Sequence, residues 1–155
     1  MKPYPLFAGL LSGLLAAAPA LADMTIDGAV LHPHHWALSD LKAQPGVVID
    51  LSYQTGHGEE HGHFTGVPLW RLLSEVGLAD DKGKNPAIRH FIVATGGDGY
   101  SAIFAFGELD PDLEGKSVLV AYERDGIPMP DLQLVVPGDK KGARYVHDLV
   151  RVEVR

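Results

Sequence analysis

The chain has no cysteine. Its fold therefore rests on no disulfide, and it offers no thiolate to a metal. Positive charge is also scarce: 13 Lys and Arg stand against 20 Asp and Glu, a net charge of −7. That balance gives no electrostatic case for binding nucleic acid or anionic lipid. Beyond residue 22 there is no long apolar run, so nothing in that stretch is suited to spanning a membrane as a helix. Nor are there the many ten-residue alternating segments that an outer-membrane barrel needs. No Gly-x-Ser-x-Gly elbow, phosphate loop or dinucleotide fingerprint occurs. Ser52, Ser74 and Ser101 have no neighbours that would make them nucleophiles.

What is present begins with a leader. Lys2 supplies a small positive n-region, Leu6 to Ala18 is a short apolar stretch, and Ala20-Leu21-Ala22 is an A-x-A cleavage site. Residues 1–22 are expected to be a signal peptide and 23–155 one exported, periplasmic domain, long enough to build its own core. Along that domain, weak alternation from Thr25 to Leu31 suggests a strand. Val47 to Tyr53 is rich in β-branched residues and reads as another. Gln54 to His63 reads as a Gly- and His-rich loop. Pro68 to Val76 places Leu69, Leu72, Leu73 and Val76 on one face, with Gly77 as a stop, which predicts a helix. Ile88–Ala94 and Tyr100–Phe106 read as strands joined by the Gly-rich turn at 95–99, with a short helical turn over Phe106–Asp110. Ser117–Glu123 and Leu132–Val136 flank the Arg124-Asp125-Gly126 hairpin signal, and Leu149–Val154 is a final strand. The expectation is a strand-dominated α+β fold in a single domain.

Several motifs then occur in a fixed order. They are Phe64-Thr65-Gly66-Val67-Pro68-Leu69 with Leu72-Leu73 and Gly77-Leu78; Asp98-Gly99-Tyr100; Ala121-Tyr122-Glu123-Arg124-Asp125-Gly126 with Pro128 and Pro130; Leu134-Val135-Val136-Pro137-Gly138; Gly142 to His147; and Val152-Glu153-Val154. Together they resemble the molybdopterin-binding domain of the sulfite oxidase family. Catalytic members of that family put a cysteine thiolate on molybdenum, from the segment ahead of Phe64. Here that segment is Gln54-Thr55-Gly56-His57-Gly58-Glu59-Glu60-His61-Gly62-His63. The arginine usually found just before L-V-V-P is also missing, since this chain reads Asp131-Leu132-Gln133, and the lysine-rich phosphate grip has become Arg144, Tyr145 and His147. The chain is similar to a short, exported, cysteine-less subset. The resemblance implies a periplasmic pterin binder, non-catalytic, that reports to the periplasmic domain of a transmembrane cyclic di-GMP synthase or phosphodiesterase and so bears on biofilm formation. Molybdenum is not expected. The alternative is a molybdopterin-dependent oxidoreductase, or a degenerate relative, with an altered metal site.

Candidate ligand-binding residues follow. Asp98 offers a carboxylate that suits the 2-amino/N3–H edge of a pterin, and Tyr100 a phenol beside it; the bland reading is a turn. Arg144 has a planar fork that also stacks on flat rings, and Tyr145 and His147 follow it. In a flat strand Arg144 and His147 would face opposite ways, so joint action needs a loop or bulge. Trp36 could stack on a heterocycle, though aromatic rings are more often core. His57, His61 and His63 are candidate metal ligands, with Glu59, Glu60 and His32, His34 and His35 nearby. Their spacing matches no closed zinc pattern, so a polar rim is the expected role.

Overall fold

The computed structural model describes residues 22–79 and 82–155. The expected signal peptide, residues 1–22, therefore lies outside the described residues except for Ala22. Nine strands and three helices follow in the order β1 (Asp23–Gly28), β2 (His34–Ala37), α1 (Leu38–Ala43), β3 (Val47–Thr55), β4 (Gly58–Pro68), α2 (Leu69–Val76), β5 (Phe91–Gly96), β6 (Ser101–Ala105), α3 (Phe106–Leu109), β7 (Leu119–Arg124), β8 (Ile127–Val135) and β9 (Leu149–Val154). Short 3-10 turns stand at Pro86–Arg89 and Gly142–Arg144. This is the strand-dominated α+β arrangement read from the sequence.

The strands form two sheets, one of order β2-β1-β9-β5-β6 and one of order β3-β4-β7-β8. All pairs are antiparallel except β1 with β9. Alternation explains the burial. β5 and β6 bury Ile92, Ala94, Ala102 and Phe104 while exposing Phe91, Ser101, Ile103 and Ala105. Buried residues of both sheets and of α2 and α3 make one core. Helix α2 contributes Leu69, Leu72, Leu73 and Val76, the i, i+3, i+4, i+7 stripe expected, and ends where Gly77 N–H donates to the Leu73 carbonyl. Pro68 precedes the helix as its N-cap rather than sitting inside the first turn.

The β7–β8 hairpin turns through Asp125 (φ 54°) and Gly126 (φ 76°), the pair of left-handed residues that a tight hairpin turn demands. At the β4–β7 crossing the ladder shifts register between Thr65 and Gly66. A Cβ at Gly66 would stand 2.1 Å from the Val120 carbonyl oxygen, so only glycine lets the two backbones meet there.

The largest departure from the sequence reading is at 54–63. The expected loop is instead the end of β3, a turn at 56–57, and the first half of β4, paired from Val47↔Gly66 to Thr55↔Gly58. Glycine and glutamate are poor strand formers in isolation, and cross-strand partners supply the order that propensity does not. β2 and α1 have no counterpart in the sequence reading, and β5 starts at Phe91, behind the 3-10 turn, rather than at Ile88.

Candidate functional site

A cavity of about 550 Å³ opens between the distal half of the β3–β4 hairpin and the segment 141–147. Strand parity explains which side chains reach it. Tyr53 and Glu60 are directly opposed across the ladder, so both project to one face. The Tyr53 hydroxyl donates to Glu60 Oε2 at 3.2 Å. Arg124, the last residue of β7, donates Nη1 to the same oxygen at 3.2 Å and Nη2 to the His61 carbonyl at 3.0 Å. Its guanidinium sits 5.3 Å from the centre of the Phe64 ring. It reaches there because position 62 is glycine: a Cβ on Gly62 would lie 2.8 Å from Arg124 Nε.

The opposite wall is Lys141, Gly142, Ala143, Tyr145 and His147. The Tyr53 and Tyr145 rings are tilted by 42° with centroids 4.4 Å apart. A Cβ on Gly142 would stand 3.0 Å from the Tyr53 ring, so the turn is packed close against that aromatic floor. Burial pushes the Tyr145 phenol up to about 12, with Tyr53 adding to the effect. Burial, then the Glu60 charge, also raises Tyr53. Both phenols are therefore neutral donors at physiological pH. Hydrogen bonding from Arg124 holds the Glu60 carboxyl below its ordinary range, so Glu60 is an anion there. At the far end, His147 Nε2 is 3.4 Å from Nε2 of Gln133, whose side chain is buried.

The residues singled out from the sequence fall in different places. Tyr145 and His147 line the cavity. The 3-10 turn at Gly142–Arg144 supplies the departure from strand geometry that this region needed, but it carries Arg144 away from them. Arg144 donates Nε and Nη2 to the two oxygens of Asp139 at 2.8 and 2.7 Å and Nη1 to Glu108 at 2.9 Å, and lies over the Phe104 ring. It does not line the cavity. Asp98 does not line it either; its carboxylate accepts the Tyr100 N–H at 2.9 Å and closes its own turn. Tyr100 acts on the cavity from outside, donating its hydroxyl to the Ala143 carbonyl. Trp36 is only 2% exposed, packed edge-on against His34 in the other sheet, and offers no face to a ligand.

His57 stands in the hairpin turn, while His61 and His63 project from the face of β4 opposite to Glu60, sharing Asp50 at 2.7 and 3.8 Å. Among the described residues no group of three or more His, Asp or Glu is placed to hold a metal ion. Sequence reasoning missed Tyr53, Arg124 and Lys141, and named Glu60 only as a carboxylate beside the histidines. The signal for Arg124 was its position immediately before the Asp125-Gly126 turn, which fixes its place at a hairpin end. Nothing local pointed to Glu60, which meets Arg124 from 64 residues away.

No family model matches the sequence, and no curated protein matches it. Among solved structures the chain is similar to the sulfane dehydrogenase SoxCD from Paracoccus pantotrophus, with a TM-score of 0.71 over 92% of this chain at 19% identity. The likeness covers 40% of that protein's chain, so the present chain matches less than half of it. At this identity the likeness is one of fold: a strand-dominated α+β domain of sulfite-oxidase type.

Proposed function

On the premise of a sulfite-oxidase-type fold, we propose that residues 23–155 form a periplasmic pterin-binding regulatory protein that performs no turnover. The observation that carries this reading is the cavity itself, with Tyr53, Glu60 and Arg124 joined on one wall and Tyr145, whose ring meets that of Tyr53, on the other. Its volume of about 550 Å³ lies within the range of small-molecule sites, roughly 300–1,000 Å³. A pterin is flat, so it suits the Tyr53–Tyr145 floor. Its amino and N3–H donors suit the Glu60 carboxylate, and its carbonyl and ring nitrogens suit Arg124 and the phenol hydroxyls.

A thiolate-bound molybdenum does not fit these residues. The lining offers phenol, carboxylate, guanidinium, ammonium and imidazole groups, and the chain has no thiol anywhere. The chain's residues therefore bind and orient a ring rather than assemble an oxo-transfer centre. A second reading, a molybdopterin-dependent oxidoreductase with an altered metal site, draws on one fact, that the fold neighbour is by name a dehydrogenase.

A binder without turnover acts through another protein. We assign that role to the periplasmic domain of a transmembrane cyclic di-GMP synthase or phosphodiesterase. The hairpin end at Thr55–Gly58 stands at the cavity rim, where contact with a partner would sense occupancy. Any such coupling is reciprocal: the partner changes pterin affinity by the factor with which pterin changes partner affinity.

The test is titration with oxidised and tetrahydro pterins, followed by tryptophan and pterin fluorescence. Arg124→Ala and Tyr145→Ala should each weaken binding about 10-fold or more, the range for a lost charge-assisted or buried hydrogen bond. Unaltered titrations for both would remove this site. Stoichiometric molybdenum in protein purified from its native compartment would favour the oxidoreductase. Deletion of the gene without effect on cellular cyclic di-GMP would remove the signalling role while leaving binding intact.

A further inference from the structure

Each sheet has two edges, and three of the four edges are guarded. β2 is four residues long and carries His34 and His35. β3 is capped near its end, where Gln54 N–H donates to the Lys140 carbonyl and pairs with Lys141. β8 contains Pro128, Pro130 and Asp131, and its far end exchanges two backbone bonds between Leu134 and Val146. Charge, proline, shortness and covering segments are the usual means by which edge strands avoid pairing with other chains.

β6 has neither charge nor proline, although the 3-10 turn at Gly142–Arg144 packs beside it. Its sequence is Ser101-Ala102-Ile103-Phe104-Ala105, with no charge, no proline and no bulge in its ladder with β5. Hydrogen-bond parity shows which backbone groups face outward. Phe91 exchanges both of its bonds with Arg155 on the β9 side, so Ile92 and Ala94 turn toward β6. Their partners Phe104 and Ala102 therefore bond inward. The Gly96 N–H to Tyr100 and Phe106 N–H to His90 bonds continue the same alternation at both ends. Ser101, Ile103 and Ala105 are left with their N–H and C=O groups directed to the open side. No backbone partner for them occurs among the described residues outside the β5 ladder. Their side chains are exposed, Ile103 at 61%, and Phe91 beside them on the same face is 39% exposed.

We infer that the β6 edge is a self-pairing surface, on which a second copy of this chain adds its own β6 antiparallel about a two-fold axis at Ile103. The strand is self-complementary in that arrangement. Ile103 meets Ile103 of the second copy, and Ser101 meets Ala105. All three outward residues exchange backbone bonds, and no charges are opposed. The five-stranded sheet becomes continuous across the pair, and the apolar strip of Phe91, Val93 and Ile103 doubles in length on the outer face. A charged partner surface gains nothing here, because the edge has no charge to meet it. The contact is independent of the cavity and of the pterin reading.

The experiment is sedimentation velocity on the full domain from about 10 µM to about 1 mM, the window in which an interface below the standard size class associates. It is joined to hydrogen exchange at the two ends of that range. The expected result is a concentration-dependent dimer and slowed exchange at Ser101, Ile103 and Ala105 only at the higher concentration. Ile103→Lys should abolish both, and Val48→Lys on the β3 edge should abolish neither. A monomer throughout the range overturns the inference, as does a dimer that Ile103→Lys leaves intact. The exchange measurement on the unaltered chain decides the matter if the lysine variant does not fold. Slowed exchange at β6 seen only with a different purified protein would assign the edge to a foreign strand and equally overturn self-pairing.

Discussion

Arg124 and Arg144 both hold carboxylates, yet the two clusters are built for different ends. Arg144 is held by carboxylates at all three of its nitrogens. Asp139 takes two of its donors and Glu108 a third, Lys116 stands 2.9 Å from Glu108, and Asp139 and Glu108 are 17% and 16% exposed. This group fastens the 139–144 segment to α3 and the residues after it. Arg124 shares a single carboxylate oxygen with Tyr53 and otherwise reaches only a backbone carbonyl and, loosely, Asp125, on the open wall of a cavity. The lesson is that residue type does not mark a site; what marks it is whether the protein has already consumed the group's hydrogen-bonding capacity. Arg144 positions a wall, whereas Arg124 faces a vacant space that a ligand can enter.

The sharpest way to break this comparison is to delete each guanidinium. Arg144→Ala strands two largely buried carboxylates with one lysine between them. It should lower unfolding free energy by about 2–4 kcal/mol in urea titration. Arg124→Ala should cost about 1 kcal/mol or less, because its partners are a third exposed and solvent screens them. Equal stability losses would end the distinction.

Acid is the next probe. Arg144 holds Asp139 below its ordinary value against the effect of burial. Burial pushes Glu108 up, but Lys116 and Arg144 outweigh it and the net shift is downward. Groups with depressed folded values contribute stability that is present above the ordinary carboxylate range, about pH 4, and lost as pH falls through the folded values. The unaltered domain should therefore lose stability steeply below about pH 4, and Arg144→Ala should show a flatter acid limb. Parallel limbs would show that other carboxylates govern acid unfolding.

Gly142→Ala is a smaller effect, and it sharpens the other side of the comparison. The added methyl would press on Tyr53 at 3.0 Å and narrow the cavity, so ligand affinity should fall several-fold with the thermal midpoint little changed. A midpoint drop as large as that of Arg144→Ala would mean the turn is part of the fastening rather than the site. The smallest effect is the one expected of a chelator: the thermal midpoint should stay where it is with and without EDTA. A drop on chelation that zinc restores would give the His61, His63 and Asp50 group a structural role.

Legibility in the sequence followed the range of the interactions. α2 and the β7–β8 hairpin could be read directly, because the Leu69–Val76 stripe and the Asp125-Gly126 turn are local signals. β2 was hidden because four residues with two histidines carry no period. The first half of β4 was hidden because Gly58, Gly62, His61 and His63 disguise an alternation that appears only against β3. The site suffered most. Tyr145 and His147 were found, but Arg144 drew attention for its chemistry while its partners lay unseen, Glu108 being 36 residues away. Arg124 and Glu60, 64 residues apart, become a pair only when β4 and β7 are side by side.

One feature of the five-stranded sheet bears on how the chain assembles. β9, last of the nine strands in chain order, lies in the middle of that sheet, between β1 and β5. β1 and β5, far apart in the chain, must therefore be joined through residues 149–154, and until those residues are available the β1–β2 hairpin lacks its sheet neighbour and is tied instead by residues 29–32 to the end of α2. Such long-range closure is slow, because loop entropy is lost before the contacts reward it. Chains still lacking residues 149–154 would carry that sheet in two halves. Completion is then a single late event that also brings the 141–147 wall, only a few residues ahead of β9, to rest against the hairpin.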